Sequence, residues 1–240
     1  MCDCVRLCMA VLAVMLFNPL VAFGAGGSSL RLEQRLGELQ KKYQQLRSLE
    51  FAFSQSTQTG GRIKQGEGTA VFFRPQTSGK SAGTPQGIMR WNYTDPAAQT
   101  IVNDGKTLSI YTPQDKQLIV SPAQDMESDV TYAIFTGSRS LVEEFEISPA
   151  DTHFTLSEPP AGIEAAVLTP RQPHPQVKRV QLWFNRDLVI QRLLMEDHFG
   201  VLTELTFSRV RLNTLPQGDA QQARSLLELD VAPGTETIRQ

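Results

Sequence analysis

Met89-Arg90-Trp91-Asn92-Tyr93-Thr94-Asp95-Pro96, followed by Ile101-Val102-Asn103-Asp104-Gly105-Lys106, is the stretch whose reading decides the fold. Side chains alternate across a strand, so Met89, Trp91 and Tyr93 share one face while Ile88, Arg90 and Asn92 take the other. Asp104-Gly105 offers the positive φ angles of a tight hairpin turn, and Leu108 and Ile110 then line one face of the next strand. These residues build a sheet with one large, soft, aromatic face. They contain no nucleophile, metal site or phosphate loop.

Upstream, Leu49, Phe51 and Phe53 alternate with Glu50, Ala52 and Ser54 until Gly60-Gly61 breaks the strand. A second strand is expected over about 66–73, ended by Arg74-Pro75, because proline cannot donate to the ladder. Residues 76–87, rich in Gly, Ser, Thr and Pro, read as an exposed flexible loop. Before the strands, Leu32, Leu36, Leu39, Tyr43 and Leu46 recur at helical spacing, which predicts an amphipathic helix over 29–47 capped by Ser28 or Ser29.

Downstream, a strand over 117–120 is followed by two short helices. The first, over 128–135, carries Val130, Ala133, Ile134 and Phe135; the second, capped by Ser138, carries Leu141, Val142 and Phe145. They either cover one face of the sheet or form a plain surface connection. Further strands are expected over 152–156, 163–169, 178–184, 188–196, 202–210 and 226–231. Regularly spaced antiparallel strands with short turns make a mainly β fold with some α, a strongly curved sheet or barrel.

The composition, 40% hydrophobic and 20% charged, is that of a globular domain, and a net charge of −2 gives no basic excess for nucleic acid. Arg6, the apolar run from Met9 to Phe17 and the small residues Ala22, Gly24 and Ala25 read as a signal peptide over 1–24, ahead of a single domain over 25–240. The alternative is a retained anchor, but Asn18-Pro19 interrupts an apolar core already short for a span of ~20 residues. Cys2, Cys4 and Cys8 all lie in or before the leader, and none follows a small-residue triplet suited to lipidation. The expected mature chain is therefore an unlipidated protein that relies on core burial and has no disulfide.

The histidines are scattered: His153 at a strand start, His174 between prolines and His198 in a turn beside Glu196 and Asp197. They form neither a metal-ligand spacing nor a catalytic set, so neither a metal nor a cofactor nor an enzymatic activity is expected. What remains is apolar. Phe51, Phe53, Phe72, Met89, Trp91 and Tyr93 form either a cavity for acyl chains or an ordinary core packed by the first helix.

Several of these pieces together resemble the periplasmic outer-membrane lipoprotein carrier protein family, LolA. They are Leu49-Glu50-Phe51-Ala52-Phe53-Ser54-Gln55, Gly66-Glu67-Gly68, Phe73-Arg74-Pro75, the tryptophan strand from Met89 to Pro96, Val102-Asn103-Asp104-Gly105-Lys106-Thr107-Leu108 and Tyr111-Thr112-Pro113. The resemblance implies an unclosed antiparallel β-barrel with a helical lid. It implies a soluble, monomeric periplasmic carrier of lipoprotein acyl chains, loaded by an inner-membrane lipoprotein-releasing ABC transporter and emptied at an outer-membrane lipoprotein receptor. Arg74 matches the family's latch arginine, which bonds lid carbonyls in the closed state. Leu108 and Ile110 join the six residues above as the implied apolar lining, under a lid carrying Val130, Ile134, Phe135 and Leu141. The family turn after the Arg-Pro pair is short, whereas 76–87 is long here. Relatives of this fold also serve as lipid-binding sensors or carry other lipids.

Overall fold

The computed structural model describes residues 25–74, 87–123, 130–158, 161–216 and 220–240. The expected leader, nearly all of the 76–87 loop and the start of the helix expected from Ser128 lie outside the described residues. Among the described residues, twelve strands form one sheet in the order β12-β6-β5-β4-β3-β2-β1-β11-β10-β9-β8-β7. The strands are β1 Ser48–Thr59, β2 Arg62–Phe73, β3 Ile88–Asp95, β4 Gln99–Asn103, β5 Thr107–Thr112, β6 Gln117–Pro122, β7 Phe145–Pro149, β8 Glu164–Pro170, β9 Arg179–Phe184, β10 Ile190–Glu196, β11 Leu202–Leu212 and β12 Glu236–Arg239. The two end strands do not pair with each other, so the barrel stays open. The pairings are antiparallel apart from β12 on β6, which is parallel.

Helix α1, Ala25–Gln45, lies across the concave face. Its stripe is the expected one: Leu36, Leu39 and Tyr43 are almost wholly buried, each such apolar side chain contributing about 1.5–3 kcal/mol. The helix starts before Ser28 and Ser29, so neither serine caps it; both are tolerated inside a helix that is held by its buried stripe. It is pinned to the β8–β10 side. Arg35 pairs with Glu164 at 3.0 Å, Lys42 donates to the Asp187 carbonyl at 2.6 Å, and the Ile190 N–H donates to the Tyr43 hydroxyl at 3.0 Å.

Helices α2, Val130–Thr136, and α3, Leu141–Glu144, follow β6 and cover the same face. The cap of α3 is Ser140, whose hydroxyl accepts from the Glu143 N–H at 3.3 Å, and not Ser138. Phe145, expected in that helix, opens β7 instead, because its backbone pairs with Pro170 on β8. At the β4–β5 turn only Gly105 has positive φ; Asp104 acts through its carboxylate, which accepts from the Lys106 and Thr107 N–H groups. Strand β2 begins at Arg62, earlier than expected; its exposed first residues pair with the end of β1, whose other edge is paired with β11 as far as Gln58.

Two expected strands are absent, for one reason. A short apolar run does not by itself distinguish strand, helix and packed loop. Residues 151–154, His153 included, form turns whose backbone is satisfied by a side chain: Gln181 accepts from the Asp151 N–H and donates to the carbonyls of Asp151 and Phe154. Phe154 thereby reaches Trp183 and Leu194 on the convex face. Leu226, expected in a strand, belongs to helix α4, Ala220–Leu227, which packs it against Phe73 and Ile88 on the convex side of β2 and β3. Arg90 ends that helix by donating to the carbonyls of Leu226 and Glu228 at 3.1 and 2.7 Å.

Candidate functional site

The concave face holds a chain of aromatic contacts. β1 places Phe51 and Phe53 inward, β2 adds Phe72, β3 adds Met89, Trp91 and Tyr93, and β11 adds Phe207. Phe51 stands 5.6 Å from Trp91, 6.2 Å from Phe72 and 4.9 Å from Phe207, ring centre to ring centre. Phe53 meets Trp91 at 4.7 Å and Tyr93 at 4.9 Å, both edge-to-face. Into this bowl α2 drives Phe135, whose ring lies 5.1 Å from Phe51, 5.4 Å from Phe72, 5.1 Å from Phe207 and 6.1 Å from Tyr43.

Beside that plug a cavity of about 190 Å³ remains, lined by Met89, Trp91, Ile101, Met195 and Leu205, by Tyr132 and Thr131 from α2, and by Gln55, Tyr93 and Thr203. Its floor has an unusual construction. Gly66 and Gly68 occupy the inward positions of β2 opposite Gln55 and Phe53. With no side chains there, the Tyr93 ring crosses β2 and its hydroxyl donates to Gln55 Oε1 on β1 at 2.9 Å. A Cβ on Gly66 would touch that ring at 3.7 Å, and one on Gly68 would lie 2.0 Å from the Asn92 carbonyl oxygen.

Arg74 follows β2 at the far end of the bowl. Its Nη1 donates to the carbonyls of Tyr43, Gln44 and Leu46 at 3.2, 2.6 and 2.7 Å, and its Nη2 to that of Thr136. Tyr43, Gln44 and Thr136 are last-turn residues of α1 and α2, and Leu46 directly follows α1; carbonyls at helix C-termini are short of intrahelical donors and carry the negative end of the helix dipole. Burial pulls the Arg74 pKa below its ordinary value, and these carbonyls offset the desolvation of the charge. α1 also bonds directly to the lid: Gln44 Nε2 donates to the carbonyl of Gly137, just after α2, at 2.9 Å, and the Leu141 N–H at the start of α3 to Gln40 Oε1 at 2.9 Å.

Phe51, Phe53, Phe72, Met89, Trp91, Tyr93, Val130, Ile134, Phe135 and Leu141 thus meet in one cluster. Leu108 and Ile110 share the inward face by register, through Asn103 and Ile101, but lie outside that cluster and do not line the cavity. Sequence reading left out Phe207, Leu205, Met195 and Gln55. Period-two alternation along the strand puts Leu205 and Phe207 on a common face, but that this face adjoins Phe53 and Gln55 follows from the β1–β11 pairing. Among the described residues no group of three or more His, Cys, Asp or Glu could hold a metal ion. Nor is any helix there long and apolar enough to cross a membrane.

The model of the family described as outer membrane lipoprotein carrier protein LolA matches residues 44–220. The outer-membrane lipoprotein carrier protein of Dechloromonas aromatica is 28% identical over 170 residues, 70% of this chain and 72% of its own length. That of Cupriavidus necator is 29% identical over 175 residues, 69% of this chain and 79% of its own. Among solved structures, an uncharacterized conserved protein from Thermus thermophilus shares the fold with a TM-score of 0.50 at 13% identity, covering 86% of this chain and 98% of that one. The matched segment contains β1 to β11, the aromatic bowl and Arg74, and the chain belongs to the outer membrane lipoprotein carrier protein family, LolA.

Proposed function

We propose that this chain carries the acyl chains of lipoproteins across the periplasm, receiving them from an inner-membrane lipoprotein-releasing ABC transporter and passing them to an outer-membrane receptor. The supporting observation is the bonding of Arg74 to carbonyls of both α1 and α2. It holds the Phe135 plug in the bowl. The cavity beside the plug, about 190 Å³, is smaller than the ~300–1,000 Å³ of ordinary ligand pockets, so acyl chains enter only when α2 moves out. Apolar burial of cargo then competes with the aromatic contacts of Phe135 and the bonds of Arg74. Release is the reverse: the lid closes again and returns the bowl to its own side chains. Closure therefore supplies part of the driving force for hand-over.

Arg74→Leu is the direct test. It should still accept lipoprotein but hand it on poorly to outer-membrane acceptor, because cargo no longer competes with a closed state of full stability. Normal delivery by this variant would remove the latch. Native mass spectrometry of the periplasmic protein checks the cargo: bound triacylated protein supports the carrier, whereas free lipid alone points to another ligand. Fractionation checks the location, the expectation being an unlipidated periplasmic chain without residues 1–24.

A further inference from the structure

The cavity beside Phe135 is not uniformly apolar. Met89, Trp91, Ile101, Met195 and Leu205 make one wall, while Gln55, Tyr93 and Thr203 bring an amide and two hydroxyls to it from β1, β3 and β11. Thr131 adds a buried hydroxyl from α2 whose partner among the described residues is the Met195 thioether, at 3.5 Å. Sulfur is a weak acceptor, so this donor is poorly matched. Gln55 is held in a defined orientation. Its Oε1 accepts from Tyr93 at 2.9 Å and its Nε2 donates to Thr57 Oγ1 at 3.2 Å, leaving a second amide hydrogen. Gly66 leaves the space this arrangement uses, since a Cβ there would already be in contact with the Tyr93 ring at 3.7 Å and a larger side chain would crowd it.

We infer that Gln55, Tyr93 and Thr203 form a polar subsite for the carbonyl group through which an acyl chain is linked, whether ester or amide. The inference rests on the acyl-carrier reading above and adds a recognition element to it. A carbonyl oxygen is an acceptor only; the donors at this end of the cavity are the second Gln55 amide hydrogen and the Thr203 hydroxyl, while Tyr93, whose proton goes to Gln55 Oε1, fixes that amide in place. A chain without a carbonyl would press hydrocarbon against the Gln55 amide and the threonine hydroxyls, which loses their hydrogen bonds to water without replacement. Gln55, Tyr93 and Thr203 sit on the sheet and not on the lid, so the subsite keeps its place when α2 moves.

The test is displacement of diphenylhexatriene from the full chain by 1,2-dipalmitoylglycerol and by 1,2-di-O-hexadecylglycerol, which has the same chain length but ether links. The ester lipid should bind about tenfold more tightly, the worth of one hydrogen bond at the strong end of the usual range. Gln55→Leu with Tyr93→Phe should bring that ratio to about one. Tyr93→Phe alone, which removes a single oxygen, should lower it part of the way and serves if the double variant fails to fold. An N-palmitoylated lipopeptide separates the two sources: greater sensitivity of the lipopeptide to the variants assigns the subsite to the amide carbonyl, and greater sensitivity of dipalmitoylglycerol to the ester. A ratio of one in the unaltered protein, or an unchanged ratio in the folded variants, overturns the subsite while leaving the carrier in place. Failure of every acyl ligand to displace the probe overturns both.

Discussion

Gln44 on α1 and Gly137 after α2 are in closer contact than any residue with a Cβ would permit. The Gln44 side chain donates to the Gly137 carbonyl at 2.9 Å, and a Cβ on Gly137 would lie 2.6 Å from Gln44 Cγ and 3.0 Å from its backbone nitrogen. Gly137 also has φ of +60°, a conformation that L side chains rarely adopt. The seam between the fixed helix and the lid is therefore built on the missing side chain.

Gly137→Ala should strain this seam by about 1–3 kcal/mol, from backbone conformation and crowding together. The cost falls on the closed lid, so the variant should bind diphenylhexatriene more tightly and show faster amide exchange over 130–136. Unchanged exchange there, in a folded variant, would show that the seam does not govern the lid.

Phe135→Ala withdraws the plug. Phenylalanine-to-alanine changes in a core cost about 3–5 kcal/mol, or roughly 6–20 °C of melting temperature at about 2–4 °C per kcal/mol for a domain of this size. Thermal unfolding should register that loss while probe binding rises, because the space between Phe51, Phe72 and Phe207 is left open to it. Trp91→Glu should act oppositely on binding, since an unpaired carboxylate in the bowl costs several kcal/mol and repels acyl chains. Equal probe binding by a folded Trp91→Glu protein would place the tryptophan outside the pocket.

Gly68→Ala should be among the most damaging single substitutions in the sheet. The atom in the way, at 2.0 Å, is the backbone oxygen of Asn92, which cannot turn aside as a side chain can without breaking the β2–β3 register. Circular dichroism and urea titration should find it unfolded or strongly destabilised. Gly66→Ala, whose tightest contact is 3.3 Å, should be much milder.

Acid should loosen the convex face. Glu196 accepts from Lys178 at 2.7 Å and Arg179 at 2.6 Å; burial alone would raise its pKa, but these bonds outweigh it and the net shift is downward. Asp151 is lowered as well, first by the His153 N–H and then by Arg179. Carboxylates with depressed folded-state pKa values stabilise the fold above their ordinary values, 4.5 and 3.8, and lose that contribution as pH falls through the folded ones. The 151–158 segment over Trp183 should therefore detach at acid pH, seen as a change in Trp183 fluorescence in a Trp91→Phe background. An unchanged Trp183 signal down to global unfolding would contradict this.

The amino-acid sequence by itself determined the faces. Alternation at Phe51 and Phe53 and at Met89, Trp91 and Tyr93, and the helical stripe through Leu36, Leu39 and Tyr43, each require only that one side of an element be buried. The resemblance marked Arg74 but implied carbonyls of the lid; of its four acceptors two, Tyr43 and Gln44, belong to α1 and one, Leu46, directly follows it, 28 to 31 residues back in the chain, and one belongs to α2, 62 residues ahead. Tertiary structure decided that division, as it decided the meeting of Phe135 with Phe207 and of Tyr93 with Gln55. It also decided which short apolar runs became strands, turning Phe154 into a loop anchor and Leu226 into a helix contact. Local periodicity is set by the rise and twist of the backbone and is legible along the chain. Which buried faces then adjoin depends on strand pairing and on how backbone hydrogen bonds are satisfied across long separations, and those are properties of the folded chain.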